Sequence, residues 1–150
     1  MVMMARSFGS LTNSLAKKRV GMSKMKIMEK DEYYLLCLFS LNDCVSCLNE
    51  TKLWQEIYSK YRGKINVIGI CNNANPIKLQ AFIKHRGIQF KVINDKDGIM
   101  FDKYMILTPV KILLNSKYEV VLKEKSTGII EDQIKFDFKL KKIIKENVIY

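Results

Sequence analysis

Two apolar segments of strand length constrain the fold of this chain more than any other feature of its sequence. Tyr33–Ser40 (YYLLCLFS) and Ile65–Cys71 (INVIGIC) are nearly continuous apolar runs, which is typical of central strands covered on both faces. Between them, apolar residues recur at helical spacing until Arg62-Gly63, so the pattern predicts a β-α-β unit. The residues that define this helical spacing are Val45, Leu48, Leu53, Trp54, Ile57, Tyr58 and Tyr61.

The remainder of the chain continues this alternation and then forms a hairpin and a final helix. The order from residue 31 onward, β-α-β-α-β-(α)-β-β-α, predicts an α/β sandwich with a mixed sheet and no second domain. The elements predicted after the second strand are a helix at Ile77–Arg86 opened by Pro76, a strand at Gln89–Ile93, a turn at Asn94–Gly98, a brief helix at Ile99–Tyr104, an antiparallel hairpin of Val110–Leu114 with Glu119–Lys123, and a Lys-rich helix at Ile129–Ile144 after Gly128, with Ile130, Ile134, Phe138, Leu140, Ile143 and Ile144 as its apolar positions.

Two cysteines three residues apart, Cys44 and Cys47, lie where the first strand gives way to the first helix. A helix N-terminus offers unpaired N–H groups and the positive end of the helix dipole, and both favour a thiolate. Cys44 is therefore the candidate nucleophile and Cys47 the resolving cysteine of a redox-active dithiol. A zinc site and inert core cysteines are the alternatives, but only Cys37, Cys71 and His85 remain as further ligands, so no metal or cofactor is expected.

Composition and charge fit one globular domain. The chain has 150 residues, 48% of them hydrophobic, and its four cysteines are too few for a disulfide-stapled scaffold. Over half of the net charge of +11 lies in residues 1–30, which carry seven Lys or Arg against one Glu. No basic stripe with interleaved aromatic residues occurs, which favours a solvated Lys-rich surface over nucleic-acid binding. Residues 1–30 are predicted to be a basic, flexible or loosely packed arm, and residues 31–150 the folded domain.

Three features together resemble the redoxin group of the thioredoxin-like superfamily, which contains the TlpA-like thiol-disulfide oxidoreductases and their relatives the peroxiredoxins. They are the strand–Cys-x-x-Cys–helix junction, the segment Asp95–Tyr104 (DKDGIMFDKY), and Thr108-Pro109 directly before a strand. The resemblance covers Tyr33–Lys125 and implies a thioredoxin-like three-layer α/β/α sandwich with a central mixed β-sheet. It also implies that the Thr108-Pro109 bond is cis, faces the dithiol and binds an extended substrate strand by β-augmentation.

The function implied by this resemblance is thiol-disulfide exchange between the Cys44–Cys47 pair and protein disulfides, with an upstream thiol donor that resets the pair. The two residues between the cysteines, Val45 and Ser46, match neither the Gly-Pro of thioredoxins nor the Pro-His of strong oxidants. The motif therefore does not fix the direction of electron flow, and we favour a reductant.

Two other functions remain open on the same fold. Peroxiredoxins place the attacking cysteine in a Pro-x-x-x-Thr-x-x-Cys frame. If Cys44 were the attacking residue, the frame would need Thr and Pro where this chain has Leu41 and Cys37. Counted from Cys47, the same positions are Cys44 and Ser40, so the frame is absent for both cysteines. This absence disfavours a thiol peroxidase, which is kept as the second hypothesis. The third is a redox-inactive binding module.

Several other side chains carry weaker expectations. Asp43 and Glu50 flank the motif, and a carboxylate close to the dithiol would raise the thiol pKa, but both are expected at the solvated surface, with Asp43 also a candidate helix cap. Trp54 is expected in the core and His85 at the surface, while Lys111 could face either side of its strand.

The resemblance bears on the compartment, whereas the expectation of no nucleic-acid binding comes from the charge distribution. We expect a monomer that does not bind nucleic acid and that associates with membranes only through a missing or N-terminal segment. Many relatives work outside the cytoplasm, yet residues 1–30 lack the apolar core of about 7–15 residues that a secretory signal peptide requires. Both an extracytoplasmic and a cytoplasmic location therefore stay open.

Overall fold

The fold places one fully buried strand at the centre of a mixed five-stranded sheet. A computed structural model describes residues 33–147. The elements are β1 (Tyr33–Phe39), α1 (Val45–Leu48), α2 (Thr51–Lys60), β2 (Ile65–Asn72), α3 (Pro76–His85), β3 (Lys91–Asp95), a 3₁₀ turn (Lys96–Gly98), α4 (Ile99–Lys103), β4 (Val110–Asn115), β5 (Val120–Lys125) and α5 (Ile130–Asn147).

The sheet has the strand order β3-β2-β1-β4-β5, with β1 and β2 parallel, β2 and β3 parallel, and β4 antiparallel to both β1 and β5. All seven residues of β1 are buried, which explains its unbroken apolar sequence. Because β4 runs against β1, the start of β4 and the end of β1 lie at the same edge of the sheet, where Val110 pairs with Leu38.

Alternate residues of β1 belong to two hydrophobic clusters, one on each face of the sheet. One cluster holds Leu35 and Phe39 together with Trp54 of α2 and Phe136 of α5. The other holds Leu36 and Leu38 with Phe101 of α4, among further strand residues. The α/β class and the central mixed sheet predicted from the sequence are confirmed.

Most predicted boundaries hold within two residues, but two helices differ from their predictions. The first predicted helix is broken into α1 and α2 at Asn49 and Glu50, where Glu50 N–H and Lys52 N–H donate to carbonyls only three residues back. Val45, counted as a core position, is 70% exposed. In the last helix, Leu140 and Ile144 are buried as predicted, but the predicted positions Ile130, Ile134 and Phe138 face solvent. Phe136, which was not among the predicted positions, is buried instead.

One prediction concerns residues that the structure does not describe, and another concerns membrane-spanning helices. The predicted arm, residues 1–30, lies outside the described part of the chain, so the division into arm and domain stays a prediction. Within residues 33–147, none of the helices has the length and apolar character that crossing a membrane requires.

Candidate active site

The Cys-x-x-Cys pair lies at the carboxyl end of the central strand, where the chain leaves β1 and enters α1. Cys44 and Cys47 form a disulfide with their Cα atoms 5.2 Å apart. Cys44 is the N-cap of α1, and its Sγ lies 3.3 Å from the Cys47 N–H that donates to it and 3.2 Å from Ser46 Oγ. In the reduced protein the same donors stabilise a thiolate on Cys44, which is exposed, whereas Cys47 is half-buried.

The Thr108-Pro109 loop comes to the dithiol from the adjacent strand. The Thr108-Pro109 peptide bond is cis, and the carbonyl of Pro109 accepts the N–H of Ser126 at 3.0 Å. Thr108 Oγ1 donates to Asp43 Oδ1 at 3.0 Å, so the loop contacts the residue directly before Cys44. The structure thus links the Thr-Pro pair to the motif through Asp43, the residue before Cys44.

A buried ion pair beside the motif was missed by the sequence analysis. Glu50, expected at the surface, is fully buried, and so is Lys111, whose Nζ lies 3.1 and 3.2 Å from the two carboxylate oxygens of Glu50. Lys111 Nζ also donates to the Lys125 carbonyl at 3.1 Å and lies 4.8 Å from the centre of the Phe136 ring. The expectation for Glu50 is wrong because a lysine in the middle of a buried strand requires an acid inside the fold. Lys111 within the apolar sequence VKILL was the available signal.

The structure also tests the expectations for Asp43, Trp54 and His85. Asp43 does not cap α1, because Cys44 occupies that position; instead Asp43 Oδ2 accepts the N–H of Ser40 at 2.8 Å. Trp54 is buried and His85 is exposed, as predicted.

Gly128, just before α5, packs directly against the turn between the cysteines. A Cβ on this residue would lie 1.9 Å from the Ser46 carbonyl oxygen and 3.2 Å from the Cys47 nitrogen. Its N–H donates to Glu50 Oε1 at 3.3 Å, and its φ is +73°. Gly128 therefore connects the dithiol turn to the buried ion pair, and only a residue without a side chain fits there.

Three exposed apolar side chains lie on the segments that meet at the dithiol turn. Val45 follows Cys44, Leu107 precedes Thr108 and Ile129 follows Gly128, and these three are 70%, 83% and 51% exposed. Each belongs to a different segment of the site.

The two remaining cysteines of the chain are expected to resist alkylation in the native protein. Cys37 and Cys71 are buried, and burial raises the pKa of Cys37 well above the usual value and that of Cys71 to about 11. Because only thiolates react quickly, reduced protein treated with iodoacetamide at pH 8 should label at Cys44 and Cys47, and at the other two only after denaturation. Mass spectrometry of the peptides measures this, and fast native labelling of Cys37 or Cys71 would contradict the burial.

A central β1 ending in Cys-x-x-Cys, with a cis-proline loop at the start of an antiparallel neighbour, defines a protein of the thioredoxin-like fold. The chain matches the AhpC/TSA family over residues 9–136, and it belongs to that family. The match begins within the segment predicted to be an arm.

Solved structures show the same fold at low sequence identity. StoA from Bacillus subtilis is 22% identical, with a TM-score of 0.55 over 66% of this chain and 78% of its own. A secreted disulfide oxidoreductase of Mycobacterium tuberculosis, homologous to DsbE of E. coli, is 16% identical, with a TM-score of 0.58 over 71% and 80%. A candidate thiol:disulfide interchange protein DsbE from Chlorobium tepidum is 16% identical, with a TM-score of 0.66 over 75% and 79%. No curated protein matches the chain.

Proposed function

We propose that this protein is a thiol-disulfide oxidoreductase that reduces disulfides in protein substrates with its Cys44–Cys47 pair. The observation that carries the proposal is the disulfide at the end of β1, with an exposed Cys44 at the N-cap of α1. Relatives of the same fold include a disulfide oxidoreductase and a candidate thiol:disulfide interchange protein, which supports exchange chemistry.

The reaction proceeds through a mixed disulfide. The Cys44 thiolate attacks one sulfur of the substrate disulfide, that S–S bond breaks, and the departing substrate sulfur takes up a proton. Cys47 then loses its proton and attacks Cys44 Sγ, which releases the second substrate sulfur as a thiol and leaves the Cys44–Cys47 disulfide. The substrate gains two electrons and the protein loses two, and an external dithiol donor restores the reduced pair.

The surroundings of the dithiol favour a reductant over an oxidant. A strongly oxidising dithiol requires a reduced form that is stabilised as a thiolate. Here Val45 adds no positive charge beside Cys44, and the residue directly before Cys44 is the acidic Asp43. The acidic residue next to Cys44 opposes the stabilisation that the helix N-terminus gives its thiolate, and this balance is the basis for proposing that electrons flow to the substrate.

The proposed substrate is an extended polypeptide segment with apolar residues next to its disulfide. The backbone of Thr108 would pair with such a segment, because Pro109 has no N–H and its carbonyl already accepts from Ser126. The exposed side chains of Val45, Leu107 and Ile129 would contact the segment's side chains. Unfolded or partly folded proteins present segments of this kind.

Trapping with a resolving-cysteine variant tests the proposed function. Cys47→Ser should accumulate a mixed disulfide with native, disulfide-bonded insulin, because Cys44 can still attack but no second cysteine resolves the product. Non-reducing gels and mass spectrometry detect the adduct, and Cys44→Ser is the matched control that should form none.

The outcomes of this experiment separate the alternatives. An adduct that links Cys44 to insulin supports exchange with protein disulfides. No adduct, together with rapid consumption of hydrogen peroxide by the reduced wild-type protein, would favour the thiol peroxidase instead. Neither activity in the wild-type protein would leave a binding module.

A further inference from the structure

The carboxylate of Asp43 binds two segments that meet at the proposed site. Its Oδ2 accepts the N–H of Ser40 at the end of β1, at 2.8 Å, and its Oδ1 accepts the hydroxyl of Thr108, at 3.0 Å. Asp43 and Thr108 are both half-buried, and 65 residues separate them along the chain. Both carboxylate oxygens are therefore engaged, and each holds a different part of the site.

Pairing with β1 does not reach the loop that this hydrogen bond holds, and on the other side only the Pro109 carbonyl, which accepts the Ser126 N–H, continues the pairing with β5. The β1–β4 ladder ends at the pair Leu38–Val110, so Thr108 lies beyond it. The residue before it, Leu107, is 83% exposed, and Met105 is 84% exposed. The hydroxyl of Thr108 is thus a side-chain anchor between an exposed loop and the residue adjacent to Cys44.

We propose that Asp43 is a positioning residue for substrate binding, which fixes the Thr108-Pro109 loop relative to Cys44. A substrate segment that pairs along the loop then presents its disulfide to the Cys44 sulfur without further ordering of the loop. Pre-organisation of this kind strengthens binding by removing an entropic cost at the moment of association. This inference rests on the proposed function, and it names the contact that couples the two halves of the site.

Removal of the Thr108 hydroxyl is the direct test. Thr108→Val keeps the shape of the side chain but removes the donor, and Asp43→Ala removes the acceptor. We expect each to lower kcat/KM for the reduction of insulin by dithiothreitol about tenfold, mainly through a higher KM, because a hydrogen bond to a charged group is lost. The double variant should be no worse than Asp43→Ala alone, since that substitution already removes the Thr108 contact together with the one to Ser40.

Conservative variants separate positioning from a merely structural role. Thr108→Ser retains the hydroxyl and should restore most of kcat/KM. Asp43→Asn can still bridge Ser40 and Thr108, because its amide accepts from one and donates to the other. Tyr61→Phe is the matched control: it removes another hydroxyl–carboxylate hydrogen bond, from Tyr61 to Asp137 at 3.3 Å, at the far end of α2, and should leave kcat/KM unchanged.

The outcomes are distinguishable from failure of the proposed function. If the wild-type protein reduces insulin while Thr108→Val keeps its KM within twofold, the positioning role is overturned and exchange stands. A loss confined to kcat, or additive losses in the double variant, would also overturn it. Wild-type protein that cannot reduce insulin overturns both. Circular-dichroism melts of all variants identify any loss that comes from unfolding.

Discussion

Lys111→Met is expected to destabilise the protein by about 3–5 kcal/mol, because it leaves the Glu50 carboxylate in the interior without its counter-ion. Both side chains of the pair are fully buried, so water cannot replace the lost contact. Only the Gly128 N–H, 3.3 Å from Glu50 Oε1, remains as a donor among the contacts described. Glu50→Gln should be similarly harmful, because it leaves the Lys111 ammonium buried. Urea unfolding at pH 7 measures both variants.

Two controls show whether the cost comes from burial of an unpaired charge. Lys139→Met removes a lysine from an exposed pair with Glu124, and should change stability by less than about 1 kcal/mol. The double variant Glu50→Leu/Lys111→Met removes both buried charges and should be more stable than either single variant. Single variants that unfold at the wild-type urea concentration would contradict the buried pair.

Gly128→Ala is expected to damage both stability and exchange activity. A methyl group at this position would lie 1.9 Å from the Ser46 carbonyl oxygen, which is backbone and cannot rotate away. Relief of the clash requires the turn between Cys44 and Cys47 to move, so the geometry of the dithiol changes as well. Overpacking and the positive φ of this residue together should cost at least about 2 kcal/mol. Urea unfolding and the rate of insulin reduction measure the two effects.

Gly87→Ala is the matched control for this variant. Gly87 has a φ of +63°, close to that of Gly128, but a Cβ there would meet no atom within 4 Å. Its substitution should therefore cost only the backbone strain, about 1–2 kcal/mol, and leave exchange activity intact. If Gly128→Ala lowers stability and the rate of insulin reduction no more than Gly87→Ala does, the close approach of Gly128 to the dithiol turn does not matter for either property.

The features that the sequence predicts well are those encoded locally. The central strand is buried on both faces and is therefore apolar throughout, which makes Tyr33–Phe39 readable without any tertiary information. Cys44 and Cys47 lie next to the end of this strand, so their place at the edge of the sheet follows from the strand itself.

The features that the sequence does not predict depend on residues far apart in the chain. Helix α5 contains two apolar stripes, and periodicity alone cannot decide which one faces the sheet; the stripe with Phe136 is buried, and the one with Phe138 is exposed. The partners of Glu50 and Asp43 lie 61 and 65 residues away. Their contacts arise only once β4 is placed antiparallel to β1.

A redox titration of the purified protein in glutathione buffers tests the central claim most directly, with alkylation and mass spectrometry at each potential. The proposed function predicts one reversible two-electron transition that links Cys44 to Cys47, with a midpoint closer to that of thioredoxin, about −270 mV, than to that of a strong oxidant, about −120 mV. Cys37 and Cys71 should remain thiols throughout. Absence of the Cys44–Cys47 disulfide at every potential would contradict the exchange mechanism.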